Sequence, residues 1–139
     1  MKTILVDAVH TFVNEEGVIN TEMHALLESF PNKKIILTGA NDEQFKLFRL
    51  DKMPYEVFTL KHNPEKTDPN YFRMMLARYH LKSDEVIYFE HKIQAVQSAE
   101  SIGIKSYHYD PEIKDLMALK QFLIENVIIE SPATKNRPA

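Results

Sequence analysis

Apolar positions in this chain follow two rhythms that take turns from one end to the other. Short, nearly continuous apolar runs occur at Thr3 to Val6, Lys34 to Leu37, Tyr55 to Leu60, Glu85 to Phe89 and Ile104 to Tyr107. Each has the length of a strand and is bounded by turn residues. Between them, apolar residues recur every three or four positions. Met23, Leu26, Leu27 and Phe30 predict a helix over about Thr21 to Ser29, and Phe72, Met75, Leu76 and Tyr79 predict a core-facing stripe on another. Phe45, Phe48 and Arg49 carry a third helix. A fourth runs from about Ile93 to Ile102, and a last one from Pro111 to about Glu125.

Boundary residues agree with these periods. Asn41, with Gln44 three positions on, has the form of a capping box. Asp68-Pro69 supplies an N-cap and a proline at the first helical position. Pro31-Asn32 stops the first helix, Pro54 lies beyond the second, and Gly103 closes the one before the last strand. The stretch from His10 to Ile19 is turn-rich, with Asn14, Glu15, Glu16 and Gly17 reading as a hairpin tip.

Strands alternating with helices predict an α/β domain of Rossmann-like, three-layer form, with five parallel strands and right-handed crossovers. The third strand is short and mixed, as an edge strand is. The chain has 139 residues, which fits one domain, taken as 1–130. The segment 131–139 carries two prolines and small polar residues and is expected to be loose. Val127-Ile128-Ile129 is open to three readings: an added strand, a subunit contact, or burial within the monomer. Ligands of such sheets bind beyond the carboxyl ends of the strands. The positions to search are therefore Asp7, Thr38, Lys61 to Lys66, Glu90 and His91.

Composition narrows the chemistry. Hydrophobic residues make up 44% and charged residues 27%, enough for an ordinary core and a solvated surface. The net charge of -3 argues against nucleic acid or an anionic membrane as the main partner. With no cysteine, disulfides, thiolate metal sites and thiol catalysis are excluded. The opening apolar run ends at Asp7, too early for a signal peptide, and no run has spanning length. A cytoplasmic location is the expectation.

Read in order, the strand-end residues resemble the motifs of the haloacid dehalogenase (HAD) superfamily. Its first motif, a strand ending Asp-x-Asp-Gly-Thr, is matched by Asp7-Ala8-Val9-His10-Thr11. Its second, a Ser or Thr after the next strand, is matched by Thr38. Its third, a Lys just before a helix, is matched by Lys66-Thr67-Asp68-Pro69, with Lys61 as a competitor. Its fourth, an acidic pair leading into a helix that ends Gly-Ile, is matched by Glu90-His91 and Gly103-Ile104. The resemblance covers nearly the whole chain, most specifically from Lys66 to Ile104, and implies strand order 5-4-1-2-3.

It also implies a phosphohydrolase. Asp7 would attack phosphorus to form an aspartyl phosphate. Asp7, Glu90 and the backbone carbonyl of Val9 would hold Mg²⁺, with waters and phosphate completing its shell. Thr38 would donate to a phosphoryl oxygen, and Lys66 would offset charge in the transition state.

Three positions depart from the pattern. Val9 stands where family phosphatases carry the Asp that protonates the leaving group, a loss typically worth roughly 10²–10⁴-fold. His10 replaces the glycine of a sharp turn, and is also a candidate substitute acid, a residue type suited to proton exchange at neutral pH. His91 replaces the second acid of the fourth motif. Imidazole is a poor ligand for Mg²⁺, so magnesium would bind weakly, with Mn²⁺ or another divalent ion as the alternative. With Asp7 and Glu90, the pair His10 and His91 also suggests a transition-metal site.

Dehalogenases and phosphonatases lack the same Asp but rely on a helical cap. The intervals Thr11 to Thr38 and Thr38 to Lys66 leave no room for one. A capless site suits a large substrate or a lid from a second subunit, so a homo-oligomer is compatible with the sequence. His24, His62, His80 and His108 lack ligand spacing and read as surface or helix-end residues.

Taken singly, each site residue has an ordinary reading: Asp7 and Thr38 as turn residues, Lys66 as a solvated lysine, the histidines as drift. Their company at one sheet edge favours a site. Two functions follow: a metal-dependent phosphohydrolase with impaired acid catalysis, or a non-catalytic protein that binds a phosphorylated small molecule, a phosphorylated macromolecule or a protein partner.

Overall fold

The computed structural model describes residues 1–128. The expected loose tail and Ile129 lie outside the described residues. The elements, in chain order, are β1 (Thr3–Asp7), α1 (Thr21–Glu28), β2 (Lys34–Thr38), α2 (Asp42–Leu47), β3 (Glu56–Thr59), α3 (Pro69–Tyr79), β4 (Val86–Glu90), α4 (Ile93–Glu100), β5 (Lys105–His108) and α5 (Leu116–Asn126), with short 3-10 turns at Leu50–Lys52 and Ser83–Glu85. All strands pair in parallel, in the order β3-β2-β1-β4-β5, which is the expected 5-4-1-2-3 read from the other edge.

β1, β2 and β4 are buried along their whole length because helices cover both sheet faces. Side chains alternate between the faces. Ile4, Val6, Ile36, Ile87 and Phe89 pack with Met23 and Leu27 of α1 and Leu119 and Leu123 of α5. Leu5, Ile35, Leu37, Val86 and Tyr88 pack with Tyr71, Phe72, Met75 and Leu76 of α3 and Ala99 of α4. The stripe expected on α3 is thus core, with Tyr79 packed at its margin.

Local signals explain the boundaries. The Asn41 side chain accepts from the Gln44 amide while Gln44 answers to the Asn41 amide. The Asp68 side chain accepts from the Asn70 amide ahead of Pro69. Residues 14–17 do form a hairpin tip, with Gly17 at φ +81° and Val13 bridging Ile19. Arg49 carbons lie 2.7–2.9 Å from where a Gly17 Cβ would be, so glycine is required there for space as well.

The last helix begins later than its apolar spacing predicts. Lys114 takes a left-handed conformation at φ +51°, which breaks the helix, and the Asp115 side chain then caps it by accepting from the Ala118 amide. Of the readings of this segment, burial within the monomer is what Val127 shows: it is packed into the core and its carbonyl accepts from Lys2 N and Asn32 Nδ2, while Ile128 is exposed. Among the described residues there is no cap over the strand ends, and no helix is long and apolar enough to cross a membrane.

Candidate active site

Sheet register brings the site together. Leu5 pairs with Tyr88 and Val6 with Phe89, so one step further Asp7 stands beside Glu90. By alternation both point to the face of Leu5 and Tyr88, where the segment leading into α3 delivers Lys66. Lys66 Nζ donates to Asp7 Oδ1 at 2.6 Å and to Glu90 Oε1 at 2.9 Å. Both carboxylates are almost fully buried. Two anions so close and so dry require the cation between them.

The other oxygens are also held. Asp7 Oδ2 accepts from Thr11 Oγ1 at 2.6 Å and from the His91 amide at 3.2 Å, and His91 Nδ1 lies 2.5 Å away. Glu90 Oε2 accepts from the Lys92 amide at 3.1 Å, with His91 Nδ1 at the same distance. The Tyr88 hydroxyl donates to Glu90 Oε1 from two residues down the same strand face. Asp7 Oδ1 therefore has Lys66 alone, whereas Oδ2 is crowded.

The electrostatics follow from these contacts. Burial would raise the Asp7 pKa, but the Lys66 charge and the hydrogen bond from His91 outweigh it, so its carboxyl is held well below the usual range. Burial would lower the Lys66 pKa, but Asp7 and Glu90 outweigh that and push it up. Hydrogen bonds to Asp7 and Glu90 raise His91 from 6.5 to about 9. Burial is the main cause of the rise at Tyr88 and Tyr71, whose hydroxyls stay protonated donors.

The site opens into a cleft of about 300 Å³ lined by Val9, His10, Thr38, Lys66, Glu90 and His91, among others. Thr38 ends β2 there. Its Oγ1 accepts from the Ala40 amide, and its carbonyl accepts from the Tyr71 hydroxyl at 2.7 Å. Val9 is half-buried on the cleft wall. His10 turns through φ +72°, half-exposed, with Nε2 3.2 Å from Glu15 Oε1. Its ring meets that of His91 edge-on at 5.4 Å.

Lys61 is not in this group; it pairs with Asp42 at 3.0 Å on the surface. His24 packs against Phe12 and Tyr55, His80 caps α3, and His108 Nε2 donates to the His91 carbonyl. His62 is exposed, as expected, and also lines the cleft mouth, between Glu65 at 3.1 Å and Gln44 at 2.5 Å. Its left-handed backbone, φ +64°, aims it there, which no spacing rule foretells. Sequence reasoning gave no role to Thr11, Tyr88 or Tyr71. Thr11 stands at the end of the first motif, and the period-2 relation between Tyr88 and Glu90 puts that hydroxyl on the same strand face.

The geometry can now be set beside other proteins. No protein-family model matches the sequence, and a search of curated proteins finds no match. Solved structures do match. A HAD family enzyme from Bacteroides thetaiotaomicron superposes with a TM-score of 0.69 at 14% identity, over 86% of this chain and 98% of its own. The fold is HAD-like. An uncharacterized protein from Listeria monocytogenes serotype 4b gives 0.70 at 15% identity, over 90% of this chain and 98% of its own. A dehalogenase gives 0.54 at 19%, over 66% of this chain but only 43% of its own. The Bacteroides enzyme has also been crystallised with magnesium and inorganic phosphate. In the HAD-like fold of the present chain, Asp7, Glu90 and His91 each offer a donor atom within 4.8 Å of the others, a spacing that one divalent ion can bridge.

Proposed function

We propose that this HAD-like chain is a metal-dependent phosphohydrolase that uses Asp7 as nucleophile and has impaired acid catalysis. The observation that carries the reading is Lys66 Nζ shared between Asp7 Oδ1 and Glu90 Oε1 at the floor of an open cleft. A buried carboxylate–lysine–carboxylate group is a poor way to gain stability, and its place at a cleft floor favours a role towards an anionic ligand.

The asymmetry of Asp7 supports distinct roles for its oxygens. Oδ1, bonded to Lys66 alone, would be the attacking atom; Oδ2 accepts from Thr11 Oγ1 and the His91 amide and lies beside His91 Nδ1. Asp7, Glu90 and the Val9 carbonyl would hold the cation, which, when bound, neutralises the phosphate and supports its transfer. Thr38 Oγ1 donates to a phosphoryl oxygen at the cleft wall. Lys66 stays with Asp7 Oδ1 as negative charge moves from the carboxylate to the leaving oxygen. The aspartyl phosphate is then released by water.

Val9 has no proton to give the leaving group, so aryl and acyl phosphates, which leave unprotonated, are the favoured class. His10, oriented by Glu15, is the candidate to supply a proton for poorer leaving groups. The open cleft admits a phosphorylated small molecule or a phosphorylated segment of a macromolecule. One observation favours the alternative of a non-catalytic phospholigand binder: Asp7 Oδ2 is saturated by Thr11 and His91.

Turnover of an aryl phosphate with Mg²⁺ or Mn²⁺ separates the two. In Asp7→Asn we expect the rate to fall to background, a loss on the order of 10³-fold or more for a nucleophile. Equal rates in both proteins would leave only the binder.

A further inference from the structure

His91 is placed more firmly than its position after a strand requires. Its amide donates to Asp7 Oδ2 at 3.2 Å, and its carbonyl accepts from His108 Nε2 at 2.8 Å. The ring is thereby held with Nδ1 at 2.5 Å from Asp7 Oδ2 and 3.1 Å from Glu90 Oε2. Nδ1 facing two carboxylate oxygens carries a proton in metal-free protein, and a cation that displaces that proton finds the nitrogen and both carboxylates already turned towards it. The other imidazole, His10, is drawn aside by Glu15 and stands outside the cluster that Asp7, Glu90 and His91 form.

We propose that the site takes a first-row divalent cation, Zn²⁺ or Mn²⁺, in preference to Mg²⁺, with His91 Nδ1 as the third protein ligand beside Asp7 and Glu90. The inference rests on the reading of Asp7 and Glu90 as a metal-binding pair and goes beyond it in naming the ligand set and the ion class. Mg²⁺ dehydrates reluctantly and prefers oxygen on all sides. Imidazole suits Zn²⁺ well, and Mn²⁺, although it prefers oxygen and is the weakest binder of its row, accepts a nitrogen ligand more readily than Mg²⁺. Replacing a carboxylate by imidazole also leaves the ligand set one negative charge poorer, which weakens Mg²⁺ most, since its binding is mainly electrostatic. His91, a loss if the ion is magnesium, becomes a selector if it is not.

The test uses the full chain, stripped with chelator and reloaded with Mn²⁺, read by pulsed electron paramagnetic resonance. Directly coordinated imidazole gives ¹⁴N modulation of the echo. We expect it in the wild type and in His10→Asn, and its loss in His91→Asp. Calorimetric titration should show Mn²⁺ and Zn²⁺ binding at least about tenfold more tightly than Mg²⁺, with the ratio falling in His91→Asp.

The wild-type spectrum needs no variant to fold. Absence of ¹⁴N coupling there overturns the proposal, as does equal affinity for Mg²⁺ and Mn²⁺. Neither result touches the phosphohydrolase reading, which fails separately if no ion supports turnover while the ¹⁴N coupling is present.

Discussion

On one wall of the cleft Lys66 bonds to both Asp7 and Glu90, with Tyr88 bonded to Glu90 beneath; on the other, Val9, His10 and Glu15 stand partly in water on a loop that turns through a left-handed residue. The first wall handles charge: Lys66 keeps Asp7 ionised and, on the proposed reading, would offer incoming phosphate a cation. The second is where that reading needs a proton donor, and there Val9 has none to give. Electrostatics and acid–base chemistry can thus differ independently, because the two sit on different segments. The charge wall is locked into sheet and helix starts, and the proton wall is a loop free to vary.

The sharpest way to probe the contrast is to rebuild the second wall. Val9→Asp with His10→Gly puts a carboxyl on the leaving-group side and a glycine at the left-handed position. If the charge wall is competent, hydrolysis of an alkyl phosphate should rise by roughly 10²–10⁴-fold, the usual worth of general acid–base help. Aryl phosphates should gain much less. No gain on either substrate would mean that the charge wall no longer supports chemistry.

Breaking the charge wall should show in stability. Lys66→Met leaves two buried carboxylates facing each other with only His91 between, a loss of about 3 kcal/mol by analogy with broken buried pairs. Saturating divalent cation should restore part of it through linkage, since it binds the folded chain. Thermal denaturation of variant and wild type, with and without Mn²⁺, checks both statements. A variant as stable as the wild type without metal would show that Lys66 is not balancing the pair.

How far this arrangement could be read from sequence follows the same division. The strand runs and the caps at Asn41 and Asp68 are local signals, and they fixed most elements to within a residue or two. Asp7, Glu90 and Lys66 were legible because strand ends and helix starts have a known place in a parallel sheet. The Tyr88 and Thr11 hydroxyls were not, since a bond across a site depends on side-chain direction in three dimensions. The late start of α5 was missed because apolar spacing continues through Pro111 to Ile113 although Lys114 breaks the backbone path. The choice of Lys66 over Lys61 needed the coordinates, as both precede the same helix.

The histidine between the walls gives a pH signature in metal-free protein. His91 is raised to about 9 from 6.5 by hydrogen bonds to Asp7 and Glu90. A group raised on folding contributes stability that is fully present below its unfolded value and lost as pH climbs through the folded one. The window is therefore pH 6.5 to 9. The contribution is on the order of 2 kcal/mol, allowing for the part of the side chain that water reaches. Urea midpoints of chelated protein should fall across that window, and His91→Asn should flatten the curve. A steady midpoint in the wild type would place the stabilising charge elsewhere.

The smallest effect belongs to the loop itself. A non-glycine residue at φ +72° carries a cost of roughly 1–2 kcal/mol relative to an ordinary conformation, and histidine sits towards the tolerant end. His10→Gly removes that cost but frees the unfolded chain by about 0.5–1 kcal/mol. The half-exposed contact with Glu15 contributes little on either side. The net expectation is a gain of about 0.5 kcal/mol, seen as a slightly higher Tm, with aryl phosphate turnover unchanged because that leaving group needs no proton. A fall in turnover of alkyl phosphates alone would assign the proton to His10. A fall for both classes would instead move His10 from the proton wall to the binding of phosphate.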